Sequence, residues 1–359
     1  MNKKETKSTA AASLVPAGGS RSAPPVLIGR DTPEVRRSLE NFFDAIADIF
    51  ERWVTRRESP HTQRAYRQDV MSFVGFLGVA WPAEARQLVT VSVADVQAWR
   101  DEMLAQAKAP KTLNRRVSSV SSFYKFLQAV AAEMRLPISI PNPAHAQFIA
   151  RSSTDPINET HAMTATRARQ LMGLPRGDDV VAFRDRAILR FYLYTGARLD
   201  TGCRLKVSDF KDDHENATIR LREKGNHRRT IGLHFAAAEA IGEYIRKAGL
   251  TSGPLFRPRS SPNSHSLSER AFSPTAMYLL LEKYLKRLPG AVKVGEDGRQ
   301  RCLYIPHSLR ATTATLLLDA GVDIMKVKEL LGHRHVATTQ IYDKRRRTVK
   351  ESASHDVPI

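Results

Sequence analysis

The sequence predicts a mainly α-helical protein with a small β-sheet: a helical N-terminal domain followed by an α+β domain. Three observations predict it. Apolar residues recur at three- and four-residue spacing through most of the chain. Pro137, Pro141 and Pro143 interrupt that periodicity in one stretch. Three short β-prone runs, at 207–210, 217–221 and 230–233, stand close together further on.

Each element has its own signal. Ser8 to Arg30 is rich in Ala, Ser, Gly and Pro, so residues 1–30 are expected to form an unordered tail. Asp31-Thr32-Pro33-Glu34 offers an N-cap signal with Pro near the first turn, and Leu39, Phe42, Phe43, Ile46, Ile49 and Phe50 then mark one amphipathic helix. A second helix starts at Ser59-Pro60 and carries Tyr66, Val70, Phe73 and Leu77. A third follows Ser92 with Val96, Trp99 and Met103, and a fourth follows Pro110 with Leu113, Val117, Val120, Tyr124 and Leu127. Residues 31–135 thus read as a helical domain, 136–160 as a linker, 161–345 as the second domain and 346–359 as a C-terminal tail. Within the second domain helices are expected at 183–195, 236–248 and 273–288, a polar turn at 223–229, and loops at 254–264 and 294–300.

Composition narrows the function. The 359 residues hold 56 Lys and Arg against 37 Asp and Glu, a net charge of +19, which points to an anionic partner and first to nucleic acid. No apolar run is long enough for a membrane span or a signal peptide core. The expected location is therefore the cytoplasm or the nucleoid. Two cysteines, Cys203 and Cys302, exclude a disulfide framework and a cysteine-rich zinc module, and both are expected to be small buried residues.

The chemistry-bearing residues gather near the C-terminus. His307 and Arg310 are three apart at the start of a predicted helix, so they share a face. Gly321 ends that helix, Asp323 caps the next, and Gly332 closes it. His333, Arg334 and His335 follow at once, and Thr338 or Thr339 is expected to cap a short helix presenting Tyr342. A single His at a helix end is usually a capping or packing residue. Two earlier segments change that weighting: Thr195-Gly196-Ala197-Arg198, and the basic turn Glu223-Lys224-Gly225-Asn226-His227-Arg228-Arg229.

With these residues the chain resembles the tyrosine recombinases of the phage-integrase type. Members show a Thr-Gly-hydrophobic-Arg segment, a Lys in a β-turn, His-x-x-Arg, Leu-Gly-His, and Thr-Thr-x-x-Tyr. Here these read Thr195 to Arg198, Lys224, His307 to Arg310, Leu331 to His333 and Thr338 to Tyr342. The stretches His61 to Tyr66 and Thr112 to Arg116 are similar to the family's helical, SAM-like core-binding domain. The resemblance implies that Tyr342 attacks a scissile phosphate and forms a 3′-phosphotyrosyl link. It implies that Arg198 and Arg310 hold the phosphate, His333 donates a hydrogen bond to it, Lys224 protonates the departing 5′-oxygen, and His307 assists proton transfer. It further implies site-specific recombination of double-stranded DNA by four protomers on two duplexes through a Holliday junction, as the integrase or resolvase of a mobile element. Accessory DNA-bending or directionality proteins are possible partners, and no cofactor is expected.

The residue types suit that chemistry. Phosphodiester cleavage needs a nucleophile, a donor for the leaving oxygen and positive charge about the transition state. A phenol with an ordinary pKa near 10 needs help to ionise, and guanidinium forks match phosphate oxygens.

One position departs from the family pattern. An acidic residue often stands three places after the first Arg, where it braces the site; here that place is Thr201, with Asp200 beside it. Either Thr201 or a shifted Asp200 is expected to supply the bond, the alternative being a weakened site that needs an accessory factor. His333-Arg334-His335 lacks the further ligands that zinc requires, so no metal is expected. Arg64, Lys111, Arg115 and Arg116 are candidate DNA contacts in the first domain, each equally readable as a solvated helix face. Two rivals remain at this level: a type IB topoisomerase-like enzyme, and a non-catalytic DNA-binding regulator of the same fold.

Overall fold

A computed structural model of the chain describes residues 26–27, 32–152, 160–213, 216–223, 228–295 and 298–343. The chain divides into two compact units, Met1–Thr154 and Asp155–Ile359. The expected tails lie outside the described residues, apart from Val26–Leu27 in the first, and so does the turn holding Lys224.

The first unit contains β1 (Val26–Leu27), α1 (Pro33–Asp44), α2 (Ile46–Thr55), α3 (Pro60–Phe76), α4 (Val93–Ala105), α5 (Pro110–Glu133) and β2 (Ile138–Ser139). The amphipathic helix expected after Asp31 is two helices. Within the expected capping segment it is Thr32 that caps the first, its Oγ1 accepting from the Val35 N–H at 3.3 Å. The break falls at Ala45, with φ −83° and ψ 1°, and lets Phe42 on one helix and Ile46, Ile49, Phe50 and Trp53 on the next all reach the same core. Periodicity alone does not see such a break, because the apolar spacing continues through it.

The core of this unit is aromatic. Phe50 meets Phe123 edge to face at 5.5 Å and Trp53 stacks on Tyr66 at 5.0 Å. Such pairs add about 0.5–1.5 kcal/mol beyond area burial. The Ser92 and Asp95 side chains cap α4 reciprocally. The stretch read as a linker from residue 136 is folded onto this unit as far as 152. Leu136, Ile140, Ala144 and Ile149 are buried in its core, and Asn142 donates to the Ser121 carbonyl at 3.1 Å. The prolines do stop the helix, but the apolar residues between them still find a surface to cover.

The second unit runs α6 (Ala165–Met172), α7 (Val180–Thr195), α8 (Leu199–Cys203), β3 (Phe210–Lys211), β4 (Thr218–Arg222), β5 (Arg228–Gly232), α9 (Phe235–Lys247), α10 (Pro274–Leu285), β6 (Val292–Val294), β7 (Gln300–Cys302), α11 (Pro306–Asp319), α12 (Ile324–Leu331) and α13 (Ala337–Gln340). Helix α7 is central: Ala187, Ile188, Phe191 and Tyr192 are buried, and it packs on α9 and α11. It stops at Gly196, whose φ of +57° favours a residue without a side chain.

Strands β3, β4 and β5 form an antiparallel sheet with Ile219 opposite Ile231 and Arg222 opposite Arg228. Ile219 and Leu221 point into the core while Arg220 and Arg222 face away, the period of two that the sequence shows. The strand expected at 207–210 is instead a 3-10 turn over Val207–Asp209 that leads into β3. The buried Asp209 carboxylate closes that turn by accepting from the Lys206 N–H at 3.0 Å, and it also accepts from the Arg220 Nε at 2.9 Å. The loop expected at 294–300 is flanked by the paired strands β6 and β7. All three residues of β6 are exposed, so no buried face writes an alternating pattern there. Cys203 is buried as expected, whereas Cys302, at the end of β7, is only half-buried.

Candidate active site

The site is built at the ends of helices. Past Gly196 the chain turns, and Arg198 takes extended angles (φ −68°, ψ 149°) as the residue before α8. Its side chain is half-exposed and makes an ion pair with Glu223 at 3.1 Å. Pro306 opens α11, so His307 sits in its first turn and Arg310 one turn further, on the same face. Asp323 caps α12 by accepting from the Met325 and Lys326 N–H groups at 2.9 and 3.2 Å, and Gly332 ends it at φ +65°. His333 follows directly. Tyr342 comes two residues after α13.

Arg310 is the most enclosed of these side chains. It is 2% exposed. Nη1 donates to the Gly196 carbonyl at 2.6 Å and Nη2 to the Leu331 carbonyl at 2.7 Å. One guanidinium thereby ties together the end of α7, the end of α12 and its own helix. Burial, with the charge of Arg198 nearby, brings its pKa down to about 10, which leaves it charged at neutral pH.

Tyr342 is flanked by both imidazoles. Its Oη lies 3.3 Å from the His307 Nε2. Its ring is parallel to that of His333 within 13°, with centroids 6.2 Å apart. His333 is buried, and its Nδ1 lies 2.8 Å from the Thr339 Oγ1. Thr339 was expected as a possible cap. It lies instead inside α13 with its hydroxyl turned in to the histidine. Burial first, then the charges of Arg310 and Arg198, push His333 down to about 4. The same causes hold His307 below the ordinary range, although that residue keeps an open edge to solvent. Both imidazoles are therefore neutral at neutral pH.

Glu223, at the start of the turn after β4, is the residue that reading the sequence missed. Its buried carboxylate faces Arg198 and also accepts from the Arg229 Nη2 at 3.3 Å. Arg229 in turn donates to the Glu329 carbonyl at 3.1 Å. Neither expected brace serves Arg198: the Asp200 carboxylate accepts from Arg204 at 2.6 Å, and Thr201 is an uncharged buried residue of α8. Glu223 stands in a polar, charged segment that reads as solvated, so no local signal exposes its burial.

The remaining expectations divide. Lys224 lies outside the described residues. His333 is buried and His335 exposed, and among the described residues no group of three or more His, Cys, Asp or Glu side chains is placed to hold a metal ion. On the first unit Arg64, Lys111 and Arg115 are exposed. Arg115 is anchored at 2.5 Å to the buried Asp69. Arg116 is turned inward, donating to the Ser72 Oγ at 3.1 Å and lining a cleft of about 250 Å³ with Trp99 and Met103.

Two guanidiniums, two neutral imidazoles and a phenol in one cluster can bind a tetrahedral oxyanion and set a nucleophile beside a proton acceptor. That chemistry agrees with what the chain is similar to. The phage integrase family matches residues 161–348, and the phage integrase N-terminal SAM-like domain matches residues 50–130. The chain belongs to the phage integrase family. It is thus a tyrosine recombinase, an enzyme of the DNA breaking-and-rejoining class. It is similar to the tyrosine recombinase XerC of Mycobacterium sp. (strain JLS), 30% identical over 307 residues that cover 83% of this chain and 93% of that one. The XerC of Thermodesulfovibrio yellowstonii is 28% identical over 294 residues, 79% of this chain and 86% of the relative. Among solved structures the fold is shared with the XerH site-specific recombinase bound to difH substrate, at 15% identity and TM-score 0.64, covering 92% of this chain and 98% of that one. It is shared also with a lambda integrase dimer bound to a COC′ core site, at 16% identity and TM-score 0.59, covering 89% and 84%.

Proposed function

We propose that the chain is a site-specific recombinase that cleaves double-stranded DNA through a 3′-phosphotyrosyl link at Tyr342. The observation that carries this reading is the placement of the Tyr342 Oη 3.3 Å from the neutral His307 Nε2, beside His333 and the two arginines. In this reading Arg198 and Arg310 clamp the non-bridging oxygens of the phosphate. Arg310 has two donors committed to carbonyls and others free for the ligand, since a guanidinium carries five N–H groups. A Thr339 hydroxyl donating to Nδ1 fixes the His333 tautomer with its proton on Nε2, ready to donate to a phosphate oxygen. His307 accepts the Tyr342 proton as the phosphorus–oxygen bond forms. Lys224 gives a proton to the 5′-oxygen as the old bond breaks. The ester retains the bond energy, so a 5′-hydroxyl from a second strand can reverse the step.

Strand exchange then proceeds between two duplexes held by four protomers, through a Holliday junction, with each protomer supplying one tyrosine. The role in a mobile element is part of the same proposal. The exposed Arg64, Lys111 and Arg115 on α3 and α5 and the charge of +19 support a first unit that meets the DNA backbone. A nicked suicide duplex tests the reading. The wild-type protein is expected to give a detergent-stable DNA adduct in EDTA and without ATP, mapping to Tyr342, while Tyr342→Phe binds DNA and gives none. An adduct on any other residue, or a need for Mg²⁺, would reject it. Exchange between two marked sites separates a recombinase from an enzyme that only relaxes supercoils.

A further inference from the structure

We propose that Glu223 is the positioning residue of this site, bracing Arg198 from the hairpin in place of an acidic residue on α8. The proposal rests on the assignment of Arg198 to the phosphate clamp made above.

The geometry is specific. The Glu223 side chain is 7% exposed, and a carboxylate so enclosed is unfavourable unless cations face it. Arg198 at 3.1 Å and Arg229 at 3.3 Å meet that need. The position where a brace would stand on the Arg198 side holds Thr201, which has no charge, and Asp200 is engaged with Arg204 in a half-exposed pair. A third contact comes from Gly332. A Cβ built there would collide with the Glu223 carboxylate and reach within 3.0 Å of the Arg229 Nε, so the left-handed glycine before His333 closes directly over the ion pair. Glu223 therefore touches the segment of Arg198 and the segment of His333.

Its own place in the chain adds the third segment. Glu223 directly precedes Lys224 in the sequence. A brace on α8 would hold Arg198 from its own helix and leave the hairpin independent. Here the residue that orients the phosphate clamp also begins the turn that carries the proposed proton donor.

The test uses the full chain and a nicked suicide duplex, in two forms: one with a normal 5′-oxygen and one with a bridging sulfur, whose thiolate leaves without a proton donor and keeps slow variants measurable. Single-turnover adduct formation and duplex affinity are measured for the wild type, Glu223→Gln, Arg198→Ala and the double variant. Glu223→Gln keeps shape and removes charge. It is expected to bind DNA within about twofold of wild type and to form adduct roughly 10–100-fold more slowly, the range seen when outer partners of a functional group are lost. That loss is expected on both substrates, because it acts through the clamp. On Arg198→Ala the second change is expected to cost nothing further, since the brace then has nothing to hold. Multiplicative losses, an unaffected Glu223→Gln, or a loss confined to the normal substrate would each overturn the proposal. If Glu223→Gln melts below the assay temperature, the same cycle is run with Glu223→Asp, which keeps the charge and shortens the reach. Failure of the wild type to form any adduct would instead reject the clamp assignment itself, and this proposal with it.

Discussion

The Nδ1 of His333 lies 2.8 Å from the Oγ1 of Thr339, both side chains buried, and when the hydroxyl donates, as in the proposed reading, the imidazole proton is left on Nε2. Thr339→Val preserves the volume and removes the hydroxyl. Stability is expected to fall by about 1 kcal/mol, the net worth of an ordinary hydrogen bond. Adduct formation on a nicked duplex is expected to fall by more than that bond alone explains, with DNA affinity retained. Wild-type cleavage by the valine variant would show that the tautomer is fixed elsewhere.

His333 also sets an acid limit on the fold. Its pKa is about 4 in the folded protein, against an ordinary 6.5. The unfolded chain therefore takes up the proton first as pH falls. The stability carried by the neutral imidazole is complete above about pH 6.5 and is lost progressively down to about pH 4, by roughly 3 kcal/mol in all. Urea unfolding at pH 7.5 and 4.5 is expected to show a larger drop for wild type than for His333→Gln. Equal drops would place the acid sensitivity in other groups. His307, shifted in the same direction, adds to the slope in both proteins.

Arg310→Ala is expected to be costly before any substrate is present. It leaves the carbonyls of Gly196 and Leu331 without their donor, and buried unpaired groups cost about 1–3 kcal/mol each. Tyr342→Phe, by contrast, is expected to unfold within about 0.5 kcal/mol of wild type, because its exposed hydroxyl contact is a minor part of the packing. Denaturant midpoints of the two variants check this, and equal stabilities would contradict the cross-link described for Arg310.

On the first unit, Arg64 and Arg116 are expected to behave differently. Arg64 is exposed on α3, so Arg64→Ala is expected to weaken duplex binding and to lower the salt slope by about one. Arg116 is turned into a cleft, so Arg116→Ala is expected to lower the unfolding temperature and leave the slope unchanged. Binding titrations across salt concentrations, beside thermal melts, separate the two; a lowered slope for Arg116→Ala would mean that its guanidinium turns outward on DNA.

Much of this was legible in the residues. The α11–α12 corner is written in Pro306, Gly321, Asp323 and Gly332, each of which acts within one helical turn of its own position. The order and spacing of motifs in the second domain pointed to Arg198, His307, Arg310, His333 and Tyr342, which the fold gathers at helix ends. What escaped reading depends on distant partners. The division at Ala45 follows from which core α1 and α2 must share, and strands β6 and β7 bury too little to leave a pattern. Prolines near 137–143 announce the end of α5 but not that Ile140 and Ala144 turn back into the core. Glu223 is surrounded in sequence by charge and in space by Arg198, Arg229 and Gly332, and only the second neighbourhood is informative.

Because one guanidinium fastens three segments through backbone carbonyls, the parts of this site differ in how freely they can be lost. A lineage that no longer needed to cut DNA could replace Tyr342 and keep its fold, but replacing Arg310 would loosen the ends of α7 and α12 together. If Tyr342 is the nucleophile proposed above, descendants reduced to binding alone are expected to shed the tyrosine early and the buried arginine last, so an intact Arg310 in a related chain would report on the architecture and the tyrosine on the proposed reaction.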